Sequence, residues 1–258
     1  MDAETIPPSP PEGAPAEPSS LMDRLTNVIA APGEVFAEIK NAPVRVSNWL
    51  VPLILASIVT AVYITIAFSQ PAIVRSMQEQ RETTFHKQVA AGKMTQAQAD
   101  QAAATIEKIM TPTLTKILYS GVAVLASAAG LFLMGLAIWL ALKCCPRAKL
   151  DYMKVVEICG LALVIDVPQK ILRSFLVLWK DNLLATASPT IFLANPSSAN
   201  KTHVFLSMLD LGDLWWLAVV SLGLSKVASI RYRTAAFITF GLWYGFRIAV
   251  VLLSPSQS

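Results

Sequence analysis

The sequence predicts an all-α membrane protein with five transmembrane helices. The chain contains five apolar stretches, and a helix needs about 20 apolar residues to cross the roughly 30 Å hydrocarbon core of a bilayer. Of its 258 residues, 54% are hydrophobic and 15% are charged, which is too apolar for an ordinary soluble protein. The alternating pattern of barrel strands is absent, so we expect the spans to be helices. The predicted spans are residues 49–68, 114–142, 155–179, 214–230 and 235–253.

Residues 1–20 combine six prolines with four acidic residues and no basic residue. Such a segment cannot form a packed helix or bury an apolar face, so we predict a disordered acidic tail. It also lacks the basic and apolar regions of a signal peptide. We therefore expect membrane insertion to depend on the spans themselves.

Residues 21–48 carry an apolar stripe that is interrupted at Pro32 and Gly33. The spacing predicts two short amphipathic helices lying in the cytoplasmic membrane interface, ahead of a five-span domain over residues 49–258. The alternative is that the stripe packs on the ends of the protein's own spans. The stripe consists of Leu21, Leu25, Val28, Ile29, Val35, Phe36 and Ile39.

The connection over residues 69–113 predicts an extramembrane helical hairpin between the first two spans. One helix is expected over 71–91, and Thr95 with Gln98 forms a capping-box pattern that starts a second one. Pro112 suits the first position of the next span. The hairpin would contact a partner or substrate, or else pack against itself and the rim of the bilayer.

The third span holds a cluster of polar residues, and ionisable side chains at membrane depth are costly enough to suggest a function. One interpretation is a polar transport site at a helix broken by Pro168. The other is a half-helix whose Lys170 and Arg173 reach the membrane surface. We favour the second, because no other span offers a clear charged partner and Arg247 lies near the end of its span. The cluster consists of Asp166, Pro168, Gln169, Lys170 and Arg173.

Small residues four positions apart predict close helix packing in two spans. Gly241 and Gly245 form such a pair in the fifth span, and residues 123–130 contain similar pairs in the second. The expected use is packing within the bundle, and a dimer interface between two copies is the alternative.

The short loops predict the orientation, because Lys and Arg accumulate on the cytoplasmic side. Residues 143–154 and 226–233 are basic, whereas residues 180–212 are sparsely basic. This pattern places the N-terminus in the cytoplasm and the C-terminus on the opposite side. The basic residues of the connection over 69–113 oppose this orientation, but longer connections carry less weight.

Motifs for chemistry are scarce. The two histidines, His86 and His203, have no second ligand at metal-binding spacing. Cys144, Cys145 and Cys159 lie near the predicted cytoplasmic edge, where free thiols are expected. We therefore predict no enzymatic activity, no cofactor, no metal site and no nucleic-acid partner.

Two segments resemble bacterial proteins of the Yip1-domain family. The first is L-T-N-V-I-A-A-P-G-E-V-F-A-E-I-K at 25–40, followed by Trp49 and Pro52, and the second is L-D-L-G-D-L-W-W-L-A-V-V-S-L-G-L-S at 209–225. The resemblance implies an integral membrane protein with a cytosolic N-terminus, here in a bacterial inner membrane. Eukaryotic members serve vesicle trafficking with small GTPases, but their Asp-Leu-Tyr-Gly-Pro motif is missing here. The family-like residues are Pro32, Phe36, Ile39, Asp210, Leu211, Trp215 and Gly223.

Together these observations predict a non-enzymatic scaffold or membrane-organising, trafficking-type component that acts through helix packing and partner binding. Its expected partners are the lipid bilayer, unidentified membrane or cytosolic proteins, and a second copy of the chain. The alternative is a small transporter or permease that uses the polar, kinked third span.

Overall fold

The computed structural model describes residues 19–145, 148–193 and 201–253, so most of the predicted N-terminal tail lies outside the described residues. Within these ranges all regular secondary structure is helical and no strand occurs, which confirms the predicted all-α class. Short 3₁₀ segments occur at Leu163–Ile165 and Pro189–Phe192. The α-helices are α1 (Leu21–Ala30), α2 (Pro32–Ile39), α3 (Ser47–Ala67), α4 (Pro71–Ala90), α5 (Gln96–Ile109), α6 (Pro112–Lys143), α7 (Tyr152–Ala162), α8 (Asp166–Lys180), α9 (Lys201–Ser207), α10 (Leu211–Ala228) and α11 (Tyr232–Leu253).

Four helices, α3, α6, α10 and α11, are long and apolar enough to cross a membrane. They correspond to the first, second, fourth and fifth predicted spans. Their lengths are 21, 32, 18 and 22 residues, and a crossing needs about 20. These helices identify the chain as a multi-pass integral membrane protein.

The third predicted span is not one continuous α-helix. It consists of α7 and α8, joined by the 3₁₀ turn at Leu163–Ile165. Pro168 explains the break, because it has no N–H to donate and its ring clashes with the carbonyl of the residue four positions earlier, Val164. The proline therefore disrupts the helix one turn before its own position.

Helix α7 lies at the centre of the structure, where residues 154–162 are all buried. It contacts α3, α6 and α10. Helix α3 also contacts α8. Near the start of α3, Asn48 contacts Glu157 of α7, and near its end Tyr63 contacts Arg173 of α8. The α7–α8 segment thus runs parallel to α3 along most of its length.

The apolar stripe of the N-terminal segment packs on the protein's own helices, so the alternative to an interfacial position is the one observed. Helix α2 lies against α10. Leu25, Val28, Val35, Phe36 and Ile39 are at most 5% exposed and belong to the main hydrophobic core.

A buried polar network fixes this segment to the bundle. The Glu157 carboxylate accepts hydrogen bonds from Asn48 Nδ2 at 2.6 Å, from Lys154 Nζ at 2.7 Å and from the Arg45 backbone N–H at 3.1 Å. Lys154 also donates to the carbonyls of Ile39 and Ala42, at 2.8 and 2.9 Å. Every member of this network has hydrogen-bond partners, which offsets the cost of burying its polar groups away from water.

An ion pair also joins α1 to α2 at the edge of the N-terminal segment. Arg24 is 3% exposed and meets the Glu38 carboxylate at 2.9 Å. Partial burial alone would raise the pKa of Glu38, but hydrogen bonds from Ser19 and Arg24 and the positive charge of Arg24 hold that pKa below its usual value.

Helices α4 and α5 contact each other across a short turn. Thr95 and Gln98 form the predicted capping box at the start of α5, and Pro112 opens α6 as predicted. Most side chains of both helices are exposed. The extramembrane position of this pair stays a prediction.

The prediction that Gly241 and Gly245 pack within the bundle is wrong for the described chain. A Cβ atom added to either glycine would meet nothing within 4 Å. Close packing occurs at other glycines instead. A Cβ at Gly160 would lie 2.2 Å from Trp49 Cβ, and one at Gly223 would lie 2.5 Å from Ile158 Cγ2. Pairs of small residues identify faces that can pack, but the fold selects which of them does so.

Candidate functional site

A cavity of about 620 Å³ lies where α6, α8, α10 and α11 meet the connection between α8 and α10. Its wall combines apolar residues such as Leu131, Met134 and Trp216 with many polar ones. The polar residues among those described are Ser127, Asp166, Gln169, Lys170, Arg173, Thr186, His203, Ser207, Asp210, Asp213 and Arg247.

Four of the five residues in the predicted polar cluster line this cavity. Asp166, Gln169, Lys170 and Arg173 come from one side of α8. Pro168, the fifth residue, does not line the cavity, but it causes the helix break between α7 and α8 that precedes it. The cluster predicted from one stretch of sequence is therefore part of a larger site to which several helices contribute.

Charged residues of two other spans face the same cavity, although none of them forms an ion pair with Asp166, Lys170 or Arg173. Arg247 of α11 donates to Asp213 of α10 at 2.6 Å, and both side chains line the cavity. The Arg247 guanidinium also lies over the Trp243 ring, 5.3 Å from its centroid. Arg247 is thus held by Asp213 of α10 and by Trp243 of its own helix.

Asp210 joins the start of α10 to α8. Its carboxylate accepts the backbone N–H groups of Gly212 at 2.9 Å and Asp213 at 3.4 Å, which caps the helix. Gln169 Nε2 donates to the same oxygen at 2.8 Å. The contact requires glycine at position 212, because a Cβ there would lie 2.1 Å from Gln169 Cδ.

Asp166 and Lys170 lie four residues apart on α8, a spacing at which oppositely charged side chains can pair. No ion pair within 4 Å joins them, and Lys170 has no hydrogen-bond acceptor among the described residues. Arg173 donates one hydrogen bond, to the Leu183 carbonyl at 3.4 Å, and lies 5.6 Å from the centroid of Tyr63. Two cations of the cavity wall therefore lack a carboxylate partner among these residues.

The family-like residues fall in two places. Pro32 opens α2, and Phe36 and Ile39 are buried in the core. A Cβ at Gly223 would lie 3.0 Å from the Phe36 ring, so these two distant residues meet where α2 packs on α10. In the second segment, Asp210 caps α10, whereas Leu211 and Trp215 are 64% and 38% exposed.

The remaining chemical candidates add no metal site. His86 is exposed on α4, and His203 is buried in the cavity wall. No group of three or more histidine, cysteine or acidic residues that could hold a metal occurs among the described residues. Cys144, Cys145 and Cys159 are free thiols.

Sequence reasoning missed Asp213, Trp216, Trp243 and His203 as wall residues. Asp213 was visible as an acid close to a span, but its partner lies 34 residues later in the chain. Comparison with protein-family models, curated proteins and solved structures gives no match.

Proposed function

We propose that this protein is a small transporter or permease that binds a polar solute in the cavity between α6, α8, α10 and α11. The observation that carries this proposal is the convergence of six Asp, Lys and Arg side chains, from α8, α10, α11 and the residue before α10, on one cavity. Charges at membrane depth are costly and are generally retained for function. The cavity volume of about 620 Å³ is also typical of small-ligand sites.

The broken backbone around the cavity supports a transport function. The 3₁₀ turn at Leu163–Ile165 interrupts the α7–α8 segment beside the cavity, and α10 begins at the cavity wall with its cap, Asp210. Interrupted helices near the membrane midplane are a recurrent feature of transporter binding sites.

We further propose that the α7–α8 segment is the fifth crossing. The parallel course of this segment beside α3 supports the proposal. Its length also fits, since the 20 residues from Glu157 to Val177 extend about 30 Å as a helix, which is the thickness of the hydrocarbon core. Five crossings would put the two termini on opposite sides of the membrane, and the basic short loops favour a cytoplasmic N-terminus.

This orientation can be tested with an impermeant thiol reagent in intact cells, using variants that lack the native cysteines. Cysteines introduced at Lys149 and Ser229 should be protected, and one at Ser258 should be labelled. The reverse labelling pattern would show that the orientation is wrong.

Binding and transport can be tested by filling the cavity. Ser127 lines it, whereas the neighbouring Ala129 is exposed and lies outside its wall. Purified protein is screened against neutral, cationic and anionic solutes, and the binders are then assayed for flux in reconstituted vesicles. We expect Ser127→Phe to abolish binding and flux and Ala129→Phe to retain both. If no solute binds or crosses with the wild-type protein, or if both variants behave alike, the proposal fails.

A scaffold function is the second candidate, favoured by a cleft between α4, α5 and α6. The cleft has a volume of about 610 Å³, and its wall includes Phe68, Val74, Met77 and Ile106. A photo-crosslinker at Val74, which is 38% exposed, should capture a distinct protein in native membranes if this cleft holds a partner. A crosslinker at Thr84, exposed farther along α4, is the control.

A further inference from the structure

We infer that the ligand of the cavity carries an anionic, hydrogen-bond-accepting group, either a carboxylate or a phosphate. This inference rests on the proposed binding function and adds the chemical class of the ligand. It is drawn from hydrogen-bond donors and charged groups in the cavity wall that have no partner among the described residues.

The wall contains several hydrogen-bond donors without acceptors. Arg173 Nε, Trp216 Nε1 and Trp243 Nε1 are buried, and none of them has a partner among the described residues. Lys170 also makes no hydrogen bond to these residues. Because a buried donor without an acceptor is unfavourable, the complementary ligand is one that supplies acceptors.

The charges of the wall lead to the same conclusion. Asp213 is paired with Arg247, and Asp210 is occupied by Gln169 and the first N–H groups of α10. The unmatched charges are Lys170 and Arg173 on one side and Asp166 on the other. The wall holds three carboxylates and three Lys or Arg side chains, so its formal charges balance, but two of the cations have no ion-pair partner within 4 Å among the described residues. An anion can pair with both of these cations, and the planar guanidinium of Arg173 suits an oxygen-rich group such as carboxylate or phosphate.

The apolar part of the wall indicates that the anion belongs to an organic molecule. Leu131, Met134 and Leu163 line the cavity together with the ring of Trp216. An inorganic ion would leave this surface uncovered, whereas an aromatic or aliphatic acid would cover it and place its charged end near Lys170.

The test compares ligands of similar shape and different charge. Benzoate, benzamide and benzamidine are planar and carry a negative, zero and positive charge, and phenyl phosphate adds the second anion class. Binding to the full-length protein is measured by titration calorimetry in an uncharged detergent, with Ser127→Phe providing the background for partition into micelles. We expect benzoate or phenyl phosphate to bind at least about tenfold more tightly than benzamide, because a charge-assisted hydrogen bond contributes that much.

Four substitutions distinguish direct recognition from a general charge effect. Lys170→Met and Arg173→Met should each weaken anion binding by about tenfold or more, and Lys170→Arg should retain most of it. Asp166→Asn should strengthen anion binding, because it removes a neighbouring negative charge. Lys180→Met is the matched control on the same helix, since Lys180 is exposed and lies outside the wall.

The source of the anion is resolved by a lipid comparison. If the natural ligand is a lipid headgroup, nanodiscs of phosphatidylglycerol should weaken phenyl phosphate binding relative to nanodiscs of phosphatidylcholine. If it is a free solute, the two lipids should give the same affinity. Both results support an anion site.

Three other results would overturn the inference, and they are distinguishable. If benzamidine or benzamide binds and the anions do not, the ligand class is wrong while the proposed binding function stands. If none of the four compounds binds and the wider solute screen also finds no binder, the proposed function fails with it. Anion binding that survives both Lys170→Met and Arg173→Met would place the ligand elsewhere.

Discussion

Replacing Lys154 by methionine should destabilise the protein strongly, because Lys154 connects the N-terminal segment to the bundle. Glu157 is fully buried, and Lys154, at 2.7 Å, is its only charged partner among the residues that the structure describes. Breaking a buried pair by removing one member costs about 3–5 kcal/mol, since the remaining charge stays uncompensated. The carbonyls of Ile39 and Ala42 also lose a charged donor.

A double-mutant cycle separates the pair from the rest of the network. The double variant Lys154→Met with Glu157→Gln should be more stable than Lys154→Met alone, because no buried charge remains. It should not reach wild-type stability, because the carbonyls of Ile39 and Ala42 stay without that donor. Asn48 can still donate to the amide oxygen at position 157, which limits the loss.

Two measurements check this prediction. Unfolding in mild detergent gives the free energies, and limited trypsin digestion reports on the connection between α2 and α3, where Lys40 and Arg45 provide cleavage sites. Lys154→Met should lower the free energy of unfolding by about 3–5 kcal/mol and accelerate cleavage there. Lys149→Met, at an exposed lysine of the preceding connection, is the control. If the two variants are equally stable, the network does not hold the segment in place.

Three further predictions concern other parts of the fold. Gly223→Leu should destabilise the protein by about 1–3 kcal/mol or more, because the added side chain would overpack the contact with Ile158. Gly241→Leu should leave the stability of the monomer unchanged, because that glycine has open space around it, and melting curves in detergent compare the two variants. Asp166→Asn and Lys170→Gln should show a smaller coupling energy in a double-mutant cycle than Lys154→Met and Glu157→Gln, because Asp166 and Lys170 attract each other without forming an ion pair within 4 Å, whereas Lys154 and Glu157 are 2.7 Å apart. A coupling energy as large as that of Lys154 with Glu157 would contradict the structure. Because the pKa of Glu38 in the folded protein lies below its usual value, the Glu38 carboxylate stabilises the fold above that usual pKa, and this stabilisation is lost as the pH falls through the lowered pKa. The loss of stability on acidification should therefore be smaller in Glu38→Gln, as measured by unfolding at pH values on both sides of that pKa.

Local sequence rules predicted the features that depend only on nearby residues. Hydropathy located four helices that can span a membrane, because burial in hydrocarbon requires a continuous apolar stretch. The capping box at Thr95 and the helix start at Pro112 follow from backbone chemistry within a few residues. The break near Pro168 has the same origin, since a proline acts on the turn that precedes it.

The same local reasoning found part of the candidate site and misjudged its pairing. Ionisable residues in an apolar stretch are conspicuous, and Asp166, Gln169, Lys170 and Arg173 all line the cavity. Their partners were not visible, because the rule for residues four apart favoured Asp166 with Lys170. The structure instead pairs Gln169 with Asp210, 41 residues away, and leaves Lys170 facing the cavity.

By itself, then, the sequence determined the helical class, the spanning helices, the broken third segment and the polar character of α8. Only the tertiary structure decided which helix faces meet. Docking of the N-terminal segment depends on Asn48 reaching Glu157, 109 residues later, and the cavity depends on Arg247 of α11 meeting Asp213 of α10. Contacts between distant residues follow from how whole helices pack, and neither the period of one helix nor the spacing of its small residues contains that information.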